Sequence, residues 1–207
     1  MARTERTILG IDPGLANTGW GIVVQRGPRL SCAAYGCIST SKDMPLAHRL
    51  MKIHQQMGAV IARFEPTFVG IETVWFGANT QSAFATGQAR GAALVACAEH
   101  DLDVGEFSPS QIKLAVVGTG SADKEQVQYM VRQLLALEDV PHPDHAADAL
   151  AAAICFTTHE GLASRVQAVQ GTGRIASVRQ DGSGCPAAVA DVAPARPAAP
   201  ACGKETA

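Results

Sequence analysis

No run of about 18 uninterrupted apolar residues occurs in this chain, so neither a membrane-spanning helix nor a membrane partner is expected. The opening residues MARTERTILGID carry charges without the apolar core of a secretory signal, and the expected location is the cytoplasm. The six cysteines (Cys32, Cys37, Cys97, Cys155, Cys185 and Cys202) contain no C-x-x-C pair. That argues against a zinc site or a disulfide frame and for reduced, buried thiols. An excess of positive charge is missing too. Lys and Arg number 17 against 19 Asp and Glu, and residues 1–164 hold 12 basic against 16 acidic side chains. Any contact with nucleic acid must then come from local patches rather than from a general positive field.

What is present is a globular composition. The 207 residues are 47% hydrophobic and 17% charged, enough for one domain with a sizeable core. RTILGID (Arg6–Asp12) reads as a buried strand that ends in a carboxylate. TGWGIVVQ and LSCAAYGCIST read as two more strands, joined by a turn at Arg26–Arg29 that contains Gly27-Pro28; this suggests an antiparallel meander. PLAHRLMKIHQQMGAVIARF places Leu46, Leu50, Ile53, Met57, Val60, Ile61 and Phe64 at helical spacing, and Glu65-Pro66 stops it. TFVGIE (Thr67–Glu72) is a short apolar strand, again ending in an acid. A helix over Gln81–Glu99 follows, in which Gly87 and Gly91 would let another element approach closely. LDVGEFS is a fifth strand. Ser108-Pro109 opens a helix that Gly118 closes, Ser121 caps another running to Leu137, and an alanine-rich helix comes last.

This order predicts an α/β fold with a mixed five-stranded sheet, antiparallel at one edge and parallel beyond, flanked by helices. Residues 1–164 are expected to form that domain. The Ala/Pro/Gly-rich segment 165–207 is expected to be a disordered tail.

Asp12 and Glu72 each come directly after an apolar strand. In neighbouring strands both carboxylates would emerge at one sheet edge, where two acids resist ionising unless a cation neutralises them. Hard oxygen donors at an open site suit Mg²⁺ or Mn²⁺. The plain alternative is that each acid caps a loop, since Asp-Pro-Gly is ordinary turn chemistry. Pro13-Gly14 and Thr18-Gly19 allow a tight hairpin whose backbone could approach a ligand closely. Such hairpins occur in metal-dependent nucleases of the ribonuclease H type, and in sugar kinases and actin-like ATPases. The stretch PHPDHAADALAAA (Pro141–Ala153) poses a similar choice. Alanine forms helix unaided, so Asp144, His145 and Asp148 in its first turn either cap and polarise the helix start or form a ligand set.

Four segments bear on that choice: ILGIDPGLANTGWGIV, IETVWFGANTQSAFATGQARGAALVA, SPSQIKLAVVGTGSADKEQVQYMV and DHAADALAAA. In order, they resemble the signature segments of the RuvC family of bacterial Holliday-junction resolvases, over roughly Thr7 to Thr158. The resemblance implies a ribonuclease H-like fold. It also implies an endonuclease that resolves four-way DNA junctions by paired symmetric nicks, in homologous recombination and DNA repair. It further implies phosphodiester hydrolysis with two Mg²⁺ per subunit, a homodimer whose symmetry mirrors the junction, and a branch-migration motor complex as partner. The competing readings are another nuclease of the same fold, acting for example on RNA–DNA hybrids, and an ATPase, which would need a second phosphate-binding hairpin.

Of the four metal ligands that the family implies, Asp12 and Glu72 match directly. The other two lie three residues apart in the first turn of the last helix, and in many members both are Asp. Here that spacing from Asp148 lands on His145, a departure in ligand type. Residues three apart share a helix face, so His145 and Asp148 can point together at a metal. Asp144, at spacing four, is geometrically possible but is expected to be the N-cap of a helix starting at His145. An imidazole ligand also leads us to expect activity with Mn²⁺.

Trp75 or Phe76 matches an aromatic that the family stacks on an unpaired base, a contact worth about 1–3 kcal/mol. Two adjacent large aromatics cannot both face inward on a strand, which favours exposure of one. Lys113 and Lys124 match basic residues that contact DNA near the scissile phosphate; alone they would read as solvated surface charge. His48, His54, His100, His142 and His159 show no ligand spacing and are assigned no role.

Overall fold

The computed structural model describes residues 5–73 and 80–170. A meander opens the chain: β1 (Glu5–Asp12), β2 (Asn17–Arg26) and β3 (Arg29–Ser39). Then follow α1 (Leu46–Phe64), β4 (Phe68–Glu72), α2 (Thr80–Ala98) and β5 (Asp103–Phe107). Three helices finish it: α3 (Pro109–Val117), α4 (Lys124–Leu134) and α5 (Asp144–Gln170). The sheet order is β3-β2-β1-β4-β5. β1 and β3 both pair antiparallel with β2, whereas β4 pairs parallel with β1 and with β5. This is the mixed sheet that the element order predicts. No helix of the described residues is long and apolar enough to cross a membrane.

Local signals act largely as expected. Gly27 takes the left-handed conformation (φ 63°) that the β2–β3 turn needs. Ser108 and Gln111 form a reciprocal capping box at the start of α3, and Gly118 ends it with φ 88°. The cap of α4 differs from expectation. Asp123 caps it, accepting a hydrogen bond from the Gln126 amide, and the helix ends at Leu134 rather than Leu137. A carboxylate three residues before a glutamine completes a capping box, which Ser121 cannot. The Ser121 hydroxyl instead lies 3.0 Å from that of Thr119.

Alternate residues of the central strands serve different layers. Leu9, Ile11, Ile22, Val69 and Ile71 pack on Ile53, Met57 and Ile61 of α1 and on the alanines of α2. Each large aliphatic side chain buried there is worth about 1.5–3 kcal/mol. Leu46, placed in this stripe by its spacing, lies outside it at 43% exposure, because α1 only begins there.

At mid-sheet the opposite face is built from small residues, flanked by Ile8, Val23, Phe68 and Phe107. Gly21, Gly10, Gly70 and Gly105 align in register across β2, β1, β4 and β5. A Cβ on Gly10 would fall on the Ala149 carbonyl, and one on Gly70 would come within 2.5 Å of the Ala152 carbonyl. Ala146, Ala147, Ala149, Ala151, Ala152 and Ala153 of α5 are all buried. Glycine below and alanine above let this helix lie against the sheet backbone. Its alanines are therefore a packing requirement as well as a helix propensity.

Gly87 and Gly91 do not serve such an approach within the chain, since no other described residue lies within 4 Å of a Cβ on either. Cys97 and Cys155 are buried free thiols, as expected, while Cys32 and Cys37 are free but only half-buried. The other two cysteines, and the tail from residue 171 onward, lie outside the described residues.

Candidate metal centre

Register brings the two strand-end acids together. Gly10 pairs with Gly70 in the parallel β1–β4 ladder, so Asp12 and Glu72, two residues further along each strand, point to the same face. The hairpin after Asp12 is closed by its own atoms. Asp12 pairs with Gly19, and the buried Thr18 hydroxyl donates to the Gly14 carbonyl at 2.7 Å. Gly14 and Gly19 face the chain's own backbone where a side chain would stand. A Cβ on Gly14 would meet the Asn17 carbonyl, and one on Gly19 the His145 carbonyl. The glycines admit the turn itself and the start of α5. On the other strand, the Thr73 amide donates to the Phe107 carbonyl at 2.9 Å and fixes the chain just after Glu72.

The first turn of α5 then delivers its side chains over these acids. His145 Nδ1 lies 2.7 Å from Asp12 Oδ2. Ligand atoms of Asp12, His145 and Asp148 all lie within 4.8 Å of one another. Glu72 borders this trio. Burial, followed by the charges of Asp12 and Asp148, pushes its carboxyl up to about 7. Burial and Asp12 also raise Asp148, and the hydrogen bond to Asp12 raises His145. All three groups hold their protons more tightly than usual because negative charge is crowded in a half-buried site. Such a donor set fits a hard divalent cation, which would take over the charge that protons otherwise neutralise.

A cleft of about 270 Å³ adjoins the acids, lined by Glu72, Lys113, Lys124 and Asp148 with Pro109, Ile112, Val127 and Ala151. The two lysines thus reach the site from α3 and α4. Lys124 Nζ lies 3.0 Å from Asp144 Oδ2 and 3.5 Å from Asp148 Oδ2. Asp144 is not the N-cap. It is the first residue of α5, and its half-exposed carboxylate turns away to Lys124. A cation one helix away attracts it more than the orphan amides of its own helix. Trp75 and Phe76 lie outside the described residues. Of the histidines assigned no role, His54 pairs with Glu99 at 2.9 Å, far from the acids in the fold's α1–α2 layer.

Sequence reasoning missed the glycine row and the Asp144–Lys124 pair. One signal for the pair was available: a lysine just after an aspartate cap sits where a helix dipole disfavours cations. An ion partner from elsewhere was to be expected.

Comparison with known proteins gives consistent results. The family model described as "Crossover junction endodeoxyribonuclease RuvC" matches residues 8–156. A curated protein of that name from Heliobacterium modesticaldum is 51% identical over 148 residues, 72% of this chain and 91% of that one. The Treponema pallidum protein of that name is 45% identical over 151 residues, 73% of this chain and 77% of its own. Among solved structures, Thermus thermophilus RuvC in complex with a Holliday junction substrate superposes with a TM-score of 0.73 at 35% identity. That match covers 77% of this chain and 97% of the other. The yeast mitochondrial Holliday junction resolvase shares the fold, with a TM-score of 0.60 at 12% identity over 81% of this chain and 86% of the other.

Proposed function

The chain belongs to the RuvC family of crossover junction endodeoxyribonucleases, and we propose that it nicks four-way DNA junctions with Asp12, Glu72, His145 and Asp148 as its metal ligands. The observation that carries this assignment is the convergence of three ligating side chains within 4.8 Å at the sheet edge where Glu72 also ends its strand. As a member of this family the chain is a metal-dependent hydrolase of DNA with a ribonuclease H-like fold, and Holliday-junction DNA is its substrate.

Two divalent ions, Mg²⁺ with Mn²⁺ as a competent substitute, would acidify an attacking water and steady the leaving 3′-oxygen. The chain's own part is to hold and orient. Asp12 lies against His145 and beside Glu72, and would hold metal together with both. Lys113 and Lys124, on the wall of the adjoining cleft, would neutralise the phosphate next to the cut. Trp75 or Phe76, in the segment after Glu72, would stack on an unpaired base.

We assign the working unit as a homodimer. Phe84 and Val95 of α2 are 66% and 53% exposed, and Gly87 and Gly91 lie between them on one helical stripe. This open apolar stripe, with room at the glycines, supports packing against a second copy. Two-fold symmetry would then set paired nicks on two symmetry-related strands of the junction. A branch-migration motor is the partner that such a family member would serve, in the cytoplasm. We assign catalysis to residues 1–164 and the remainder to a dispensable tail, whose first residues continue α5 as far as Gln170.

Digestion of a mobile four-way junction in Mg²⁺ and in EDTA, beside an RNA–DNA hybrid of equal length, tests the reading. Paired symmetric nicks should appear only with metal and only on the junction. Asp12→Asn should abolish them while leaving junction binding intact or tighter at low salt, since a negative charge near phosphates is removed. Equal cleavage of the hybrid, or nicking by Asp12→Asn at the wild-type rate, would contradict it.

A further inference from the structure

Lys124 stands where its own helix does not favour it. It is the first residue of α4, and Asp123 and Gln126 already complete that helix start. Two carboxylates of α5 hold its ammonium there, and they differ in standing. Asp148 belongs to the ligand cluster with Asp12 and His145. Asp144 does not; it faces Lys124 at the start of α4, and its side chain is 53% exposed. The contact lengths differ as well. The Asp144 distance of 3.0 Å is close to a charged hydrogen bond, whereas the 3.5 Å to Asp148 is a longer and weaker contact. An ammonium closed fully on Asp148 would neutralise a carboxylate that a cation needs.

We propose that Asp144 is a positioning residue that acts through Lys124. It draws the ammonium off Asp148, leaving that carboxylate open to a divalent cation, and keeps Lys124 at the lip of the cleft where a DNA phosphate arrives. The proposal rests on the metal-site reading above and adds to it a residue outside the ligand set. Without Asp144, Lys124 has one carboxylate left to pair with, and the two cations compete for Asp148.

The test is a titration of the DNA-free full-length chain with Mn²⁺, reading free Mn²⁺ by its paramagnetic resonance signal. Asp144→Asn should raise the Mn²⁺ Kd by about fivefold, the upper end of what an exposed ion pair is worth. Asp144→Glu should restore binding to near the wild-type value. In a Lys124→Met background, Asp144→Asn should change the Kd by less than about twofold, because the competing ammonium is gone. An equal shift in both backgrounds would mean that Asp144 acts on the ion directly and would overturn the proposal. So would no shift in the wild-type background. Absence of Mn²⁺ binding by the wild-type chain would instead overturn the metal site itself, and this proposal with it.

Discussion

The two faces of β1 and β4 are built to opposite rules. On one, Leu9, Ile11, Val69 and Ile71 fill the space beneath α1 and α2 with branched aliphatic bulk. On the other, Gly10 and Gly70 remove that bulk, and α5 rests on the strands through alanine. The aliphatic face keeps its helices at ordinary side-chain distance. The glycine face brings a helix backbone close enough for its first turn to reach the acids at the strand ends. Core and site are thus alternate residues of the same strands, and the spacing of one layer sets the geometry of the other.

The largest effect should come from filling the thin face. Gly10→Val would drive a branched side chain into the Ala149 carbonyl, which belongs to a helix backbone and cannot swing aside. We expect a loss of about 3 kcal/mol or more, enough to unfold a marginal domain, read by chemical denaturation.

His145, carried over that face by α5, comes next. His145→Ala should lower junction cleavage at least about 100-fold, more than the loss of an outer partner of a metal ligand costs. His145→Asp should keep cleavage and shift metal preference from Mn²⁺ toward Mg²⁺, because a carboxylate is the harder donor. Steady-state rates in each metal decide both. If His145→Ala cleaves normally, the ligand set is wrong.

A smaller effect follows from the crowded protons. Glu72 is held at about 7 against its ordinary 4.5, so its neutral form favours the fold. That contribution is complete below about 4.5 and is lost as pH rises through about 7. His145, raised by its hydrogen bond to Asp12, works in the same direction: its contribution is full below 6.5 and lost as pH rises through its folded value. The metal-free chain should therefore lose melting temperature between about pH 5 and pH 8. Added Mg²⁺ should raise the Tm more at pH 8 than at pH 5.5, as calorimetry will show. A flat metal-free profile would mean that the acids are not crowded.

The smallest change lies on the thick face. Ile71→Val, one residue from Glu72, should cost only about 0.5–1.5 kcal/mol and leave cleavage unaltered, measured by denaturation and junction digestion together. A strong activity loss there would show that the two faces are not independent.

These contrasts also mark what the sequence could convey. Apolar runs ending in Asp12 and Glu72 were legible as strands with terminal acids, and the order of elements was enough for a mixed sheet. The spacing of His145 and Asp148 placed both on one helix face, and the structure brings both to Asp12. The glycine row was not legible, because its four members belong to four strands and align only once the register exists. Asp144 misled for a related reason. Capping is a local rule, and the cation that overrides it comes from α4, twenty positions earlier. The expectation for Ser121 failed at shorter range, where Asp123 and Gln126 made the better capping box.

Glu72→Gln tests most directly whether the acids of the thin face are there for chemistry rather than for folding. Glutamine keeps the shape of the neutral carboxyl and removes a charge that the buried site disfavours at pH 8. Compared with wild type in EDTA at that pH, the variant should melt at a higher temperature, and with Mg²⁺ it should leave four-way junctions uncut. A lower melting temperature with cleavage preserved would show that Glu72 supports the fold, and would contradict the account.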